Sequence, residues 1–189
     1  MQSTRDEIVA IMDQLSEENL EQLLFYAYTL EADQRYHQTL YEKGLVMDEL
    51  FENKEQIMEK WETVFTGMVS EQQKRDINYD QFKWHVFSYK VIRCLQGEEA
   101  MAAFDAVTKT DCYVFYQDRY GMWKYSGAKN IQATDFTTQQ DIYITDVNFK
   151  WTYIQTHESQ CGPYFYPVLT GGNLSVPKVK RQVQDPTSK

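Results

Sequence analysis

The residues best suited to chemistry crowd into one short stretch, 157–163, which reads HESQCGP. His157 and Cys161 stand four residues apart, with Glu158 beside the histidine. The run looks like a zinc-protease pattern in which cysteine replaces the second histidine. Such a pattern works on a helix, because helical spacing places positions i and i+4 on one face with the glutamate beside them.

The residues just before this stretch predict a strand instead of a helix. Aromatic residues occupy every second position from Phe149 to Tyr153, and Gln155 and His157 continue the same parity, which is the period of a strand. If the strand runs to its end, His157 points with Trp151 and Tyr153, at the rim of an aromatic core, and Glu158 points the other way. A Gly-Pro pair follows at once, so the metalloprotease interpretation loses the helix it needs.

A cysteine nucleophile is a second interpretation of the same stretch. Cys161 stands at a predicted turn, where a thiol can be exposed, and His157 or His85 could lower its pKa. The simpler alternative is that Cys161 fills the base of the turn, because free cysteine is often buried. A metal site formed by His157, Cys161 and His85 is a further alternative, although we predict no metal and no other cofactor. The candidate catalytic residues are thus His157, Cys161, His85 and Glu158.

The elements that would position these residues change along the chain from helices to strands. Apolar spacing and capping residues predict helices over 3–12, 16–43, 57–68 and 98–107. The segment 80–95 is apolar on nearly every side, and its length favours a helix. Strands are predicted at 112–117, 141–147 and 149–156, with prolines and glycines breaking regular structure beyond them. This order is typical of an α+β domain, with N-terminal helices packed on a small, mainly antiparallel sheet. We expect a helical segment 1–45, an α+β domain 46–168 and a loose basic tail 169–189.

The charge of the chain is uneven and bears on its partners. Residues 1–80 hold 7 Lys and Arg against 18 Asp and Glu, a net charge of −11, within a total of −9. Such an acidic half disfavours direct binding to nucleic acid and suits a basic protein partner. Helix 16–43 is a natural docking or homodimer element. No apolar run is long enough to span a membrane, and the N-terminus is not that of a signal peptide. With three cysteines, we expect free thiols and a cytoplasmic protein.

Four sequence segments of the chain resemble one family of small bacterial and phage proteins. They are KWETVFTGMVSEQQKRDI, DQFKWHVFSY, CYVFYQ and FKWTYIQTHESQCGPYFY. Together they cover about residues 55–166 and are similar to the domain of unknown function 4275. This resemblance implies an α+β domain of bacterial or phage origin and supplies no activity. Residues 1–45 resemble the helical pairs found beside bacterial regulators and antitoxins.

The sequence leaves two functions possible, beside the alternative that the candidate residues are only core and turn and that function lies in the tail or in residues 1–45. The absence of GxxxxGK[ST], GxGxxG, GxSxG and paired CxxC patterns argues against common nucleotide, hydride and serine-hydrolase chemistry. We therefore expect a non-enzymatic protein-binding or inhibitory factor, such as an antagonist of a toxin, nuclease or defence protein. The alternative is a cysteine- or metal-dependent hydrolase or transferase with its site at the HESQCGP turn.

Overall fold

A computed structural model describes residues 3–118 and 120–168 of the 189-residue chain. The chain divides into two compact units, of which the first ends at Lys43 and the second begins at Gly44. The basic tail expected at 169–189 lies outside the described residues. No helix among the described residues is both long and apolar enough to cross a membrane.

The first unit consists of helices α1 (Thr4–Met12) and α2 (Glu17–Glu42). The side chain of Ser3 accepts a hydrogen bond from the backbone N–H of Asp6, and Ser16 caps α2 in the same way through Asn19. The chain leaves α2 through Gly44, whose φ of +83° suits glycine. Both helices begin and end close to the positions that their capping residues predict.

The second unit contains the remaining helices and all the strands of the described chain. The helices are α3 (Lys54–Thr66), α4 (Glu71–Asp76), the single turn α5 (His85–Ser88) and α6 (Gly97–Ala106). The strands are β1 (Val46–Glu49), β2 (Leu95–Gln96), β3 (Asp111–Tyr116), β4 (Met122–Ser126), β5 (Ile142–Asp146), β6 (Trp151–Gln155) and β7 (Tyr164–Pro167). Two 3₁₀ turns, Ala128–Asn130 and Ala133–Phe136, connect β4 to β5.

The strands form one antiparallel sheet in the order β1-β4-β3-β5-β6-β7-β2. Helices followed by an antiparallel sheet make the fold α+β, as predicted. The central strands β5 and β6 are buried on both faces. The prolines predicted an end to regular structure, but Tyr164–Pro167 is a strand. Proline is compatible with this strand because Pro167 is its last residue.

Helix α3 covers one face of the sheet through its apolar stripe. Trp61 is fully buried, and its ring packs edge-on against Phe115 of β3 and Tyr143 of β5. The indole Nε1 of Trp61 donates a hydrogen bond of 3.1 Å to Oγ1 of Thr152 on β6. On the opposite face Phe104 of α6 packs against Tyr153 with ring centroids 4.4 Å apart. Each face of the sheet therefore has its own aromatic core.

The segment 80–95 is not the helix that its length predicted. It forms turns around α5 and ends in β2, with Lys90 at a φ of +58°. Its backbone makes turn-type hydrogen bonds within the segment, and two of its N–H groups bond to side chains outside it. The N–H of Lys83 donates to Oε1 of Gln117, and the N–H of Trp84 donates to Oη of Tyr143. Tertiary hydrogen bonds and burial of separate aromatic rings thus override the local tendency to form a helix.

Candidate functional site

Asp141 lies at the centre of a hydrogen-bonded cluster at the start of β5. Its backbone adopts a φ of +50°, a region that aspartate enters more readily than most residues. Its carboxylate Oδ1 accepts from Nε1 of Trp84 over 2.9 Å and from the backbone N–H of His157 over 3.2 Å. Its Oδ2 lies 2.7 Å from Nδ1 of His157. One nearly buried carboxylate thus joins the 80–95 segment to the end of β6.

This carboxylate fixes how His157 presents its ring. Because a carboxylate only accepts, Nδ1 of His157 carries the proton and Nε2 faces the other way. The ring lies between Phe82 and Trp84, with centroids 5.0 Å and 5.9 Å away, and the side chain keeps 35% of its exposure. Nε2 comes within 3.9 Å of Oε1 of Glu158. The arrangement holds an outward Nε2 that can accept a proton.

The structure places His157 on the face of the sheet opposite to the one predicted. Trp151 and Tyr153 pack against Phe104 of α6, whereas Phe82 and Trp84, the neighbours of His157, belong to the side covered by α3. The strand ends at Gln155, so its alternation does not extend to His157. The hydrogen bonds to Asp141 turn the ring toward the α3 side.

The HESQCGP stretch is a turn closed by its own backbone. The N–H of Cys161 donates to the carbonyl of Glu158 over 3.0 Å. The hydroxyl of Thr156 donates to the carbonyls of Glu158 and Cys161. No helix forms across 157–161, so the spacing of His157 and Cys161 does not place them on one helical face, as expected from the sequence.

The surroundings of Cys161 disfavour the thiolate form of its side chain. The thiol bonds to the Glu158 carboxylate, and this bond, together with burial and the negative charge of Glu158, raises the pKa of Cys161. A raised pKa leaves less thiolate at neutral pH. A weaker hydrogen bond to Tyr164 acts in the opposite direction. Among the described residues, no hydrogen bond or ion pair joins Cys161 to His157 or His85.

His85 lies near His157 without touching it through a hydrogen bond. Its Nδ1 contacts the carbonyl of Ile77 at 2.5 Å, and its ring packs edge-on against Trp84 at 4.5 Å. Both imidazoles contact Phe82 and Trp84, but no ring contact between the two is seen in the described part of the chain. The structure therefore brings His157, Glu158 and Cys161 into one turn. His85 lies outside this turn and shares with His157 only its contacts to Phe82 and Trp84.

Comparisons with known proteins place this fold in a family. A family model described as domain of unknown function DUF4275 matches residues 35–165. The chain belongs to the DUF4275 family. Neither curated proteins nor solved structures gave a significant match.

Two residues of this hydrogen-bonded cluster were not predicted from the sequence. Asp141 precedes a strand with no spacing signal that links it to His157. Gln117 lies behind the cluster: its Oε1 accepts from Oη of Tyr143 over 2.8 Å, and its backbone N–H donates to the carbonyl of Asp141. Trp84, which precedes His85 in the chain, contacts Asp141 through its indole N–H. Within residues 3–118 and 120–168, no three His, Cys, Asp or Glu residues are grouped to hold a metal ion.

An open cavity of about 620 Å³ lies elsewhere on the DUF4275 domain, between α3 and the β3–β4 connection. Its floor is apolar, and carboxylates of α3 and of the connection stand around it. Its lining includes Met58, Phe115, Met122, Glu55, Glu59 and Asp118.

The first unit exposes an unusual number of large apolar side chains. Phe25 is 69% exposed, Leu30 is 71% exposed and Ile11 is 57% exposed, among others. A shallow depression of about 370 Å³ on α2 combines such rings with acidic groups: Glu18, Glu21, Gln22, Phe25 and Tyr26. Residues 3–34 of this unit precede the DUF4275 match.

Proposed function

We propose that this protein acts by binding a basic partner protein and is not an enzyme. The observation that carries the proposal is the exposed apolar and acidic surface of α1 and α2. Phe25, Tyr26, Tyr28 and Leu30 each keep more than half of their exposure. Exposed apolar side chains in this number mark protein interaction sites, because water does not favour leaving them uncovered. Aromatic residues are also the commonest anchors of protein interfaces.

The charge of the surface selects the kind of partner. Glu18 and Glu21 line the same depression as Phe25 and Tyr26. A partner segment with apolar anchors and Lys or Arg would satisfy both kinds of group, and the net charge of −9 would speed its approach. A basic groove that binds nucleic acid has this character, which suits the expected role as an antagonist of a toxin, nuclease or defence protein.

The expected location follows the thiols. Cys94, Cys112 and Cys161 are free in the structure. Free thiols persist in a reducing compartment, and this supports the cytoplasm of a bacterium or of a phage-infected cell as the place where the protein acts.

Affinity capture with matched variants tests the binding proposal. The double variant F25S/L30S removes two exposed apolar groups from α2, and F51S removes an 80% exposed ring from the second unit as a control. We expect a specific, basic protein to be retained by the wild type and by F51S and lost from F25S/L30S. Size measurement of the free chain separates this from pairing of two copies through α2. Equal retention by all three chains would contradict the proposed surface.

A hydrolase is the second candidate, and the Asp141–His157 hydrogen bond of 2.7 Å favours it. In this function Nε2 of His157 would take a proton from water as the water oxygen attacks an acyl carbon. It would then give that proton to the leaving group as the bond between the acyl carbon and the leaving group breaks. Water replaces Cys161 as nucleophile, because the pKa of Cys161 is raised. Ester hydrolysis that is lost in H157Q and retained in C161A would support this candidate. Activity equal in wild type and H157Q would exclude it.

A further inference from the structure

The cavity between α3 and the β3–β4 connection combines a firm apolar floor with an acidic rim. Phe115 and Met122 are buried, and Met58 of α3 is half-buried beside them. Glu55 and Glu59 are exposed on α3, and Asp118 is exposed on the connection. A volume of about 620 Å³ lies within the range of sites that hold a small ligand or a side chain with its flanking backbone.

The spacing of α3 produces this combination. Glu55 and Glu59 are four residues apart, as are Met58 and Glu62, so both pairs lie on the face that lines the cavity. Like charges at this spacing destabilise a helix slightly. Glu62 is neutralised by Lys83, whose Nζ lies 2.6 Å from its Oε1. Within the described residues no ion pair neutralises Glu55 or Glu59.

The aromatic wall adds affinity for a cation. Tyr120 lines the cavity, and Nζ of Lys54 lies 4.9 Å above its ring. The ring is thus already placed to receive a positive charge. Lys54 would be displaced from the ring, or share it, when a ligand cation enters.

We propose that this cavity binds the side chain of one arginine in a basic peptide. An arginine carries an aliphatic stem that can lie on Met58 and Met122, and a planar head with five donors for the carboxylates above them. Its head also stacks on rings, which a lysine ammonium does less well. The site lies on the second unit, and none of its residues belongs to the α1–α2 surface. It deepens the proposed function only in that a basic partner could supply the arginine.

Methionine methyl resonances of the full chain give a direct test. The probe is a short blocked peptide with a single arginine, titrated at constant ionic strength. We expect the methyl signals of Met58 and Met122 to shift together, while those of Met12 and Met101, which do not line the cavity, stay in place. A matched citrulline peptide keeps the shape and loses the charge. We expect it to bind at least about tenfold more weakly, the effect of losing a charge-assisted hydrogen bond.

Variants separate this site from a general effect of acidity. E55Q/E59Q removes two rim charges, and E98Q/E99Q removes two exposed charges from α6 as a control for net charge. We expect E55Q/E59Q to weaken the arginine peptide about tenfold or more and E98Q/E99Q to change it little, both chains remaining folded by circular dichroism. Unmoved Met58 and Met122 signals, or equal weakening by both variants, would overturn the proposal. F25S/L30S should leave the titration unchanged, so failure of the α2 surface and failure of the cavity give different results.

Discussion

Asp141 and His157 are joined twice: Oδ2 of Asp141 contacts Nδ1 of the ring at 2.7 Å, and Oδ1 accepts the backbone N–H of the same residue at 3.2 Å. The carboxylate of Asp141 accepts a third hydrogen bond, from Nε1 of Trp84. The result is a clamp at the point where β5 begins and β6 has ended. The clamp also fixes the direction of Nε2, which points away from Asp141 and lies 3.9 Å from Oε1 of Glu158.

Replacing Asp141 by Asn should break this clamp while keeping its backbone. Asparagine tolerates the φ of +50° as aspartate does, but an amide supplies one acceptor oxygen where the carboxylate supplied two. We expect the free energy of unfolding to fall by about 1.5–3 kcal/mol, the range for a hydrogen bond to a charged group. Urea unfolding measures it. E158Q, at a neighbouring exposed carboxylate, should change stability by less than about 0.5 kcal/mol; a D141N loss of that size would show that the clamp contributes little.

Thr152→Val should leave the indole of Trp61 without its partner. Valine matches threonine in shape, so packing on β6 is kept, but Nε1 of the fully buried Trp61 loses its acceptor. A buried donor left unpaired costs about 1–3 kcal/mol. Thr63→Val on the exposed side of α3 is the matched control and should be within about 0.5 kcal/mol of wild type. Equal midpoints and slopes in denaturant for both variants would contradict the role given to this bond.

The sequence predicted helices α1, α2, α3 and α6 and the central strands β3, β5 and β6, and missed how Asp141 holds His157. Helix α3 was predictable because its apolar spacing carries a helical period, and β5 and β6 because theirs carries a strand period. The segment 80–95 is apolar on nearly all sides, so its sequence shows neither a helical nor a strand period. Its backbone conformation depends on tertiary contacts such as the hydrogen bond from the N–H of Trp84 to Tyr143. The face taken by His157 depended on where β6 ends. Asp141 had no pattern at all, because its link to His157 exists only between separate strands.

The thiols should react slowly with iodoacetamide at neutral pH. Burial raises the pKa of Cys94 and of Cys112 to about 12, and Glu158 raises the pKa of Cys161. Because only the thiolate reacts, each shift lowers the rate. E158Q removes the charge that holds Cys161 back, so its modification should become faster, whereas Cys112 should not change. Mass spectrometry of each cysteine against time provides the rates. Rapid labelling of Cys161 in the wild type would contradict this and revive the cysteine nucleophile.

Tyr153→Phe should stabilise the protein, and most strongly at alkaline pH. Among the described residues its hydroxyl is the buried side-chain polar atom without a hydrogen-bond partner, so its removal should gain about 1 kcal/mol at pH 7. Burial also raises the pKa of Tyr153 above the usual value of 10. A raised pKa in the folded state means that stability is present below pH 10 and is lost as the pH rises above it, because the unfolded chain releases the proton first. Phenylalanine has no proton to release, so the loss of stability between pH 10 and pH 11 should be smaller in the variant.

Tyr143→Phe is the contrasting variant, because the hydroxyl of Tyr143 is bonded to Trp84 and Gln117. That variant should lose stability at pH 7 and should also lose less stability than the wild type as the pH rises. Chemical unfolding of both variants and wild type at pH 7 and pH 10.5 measures these differences, and a destabilised Tyr153→Phe at pH 7 would show that the hydroxyl has a partner after all.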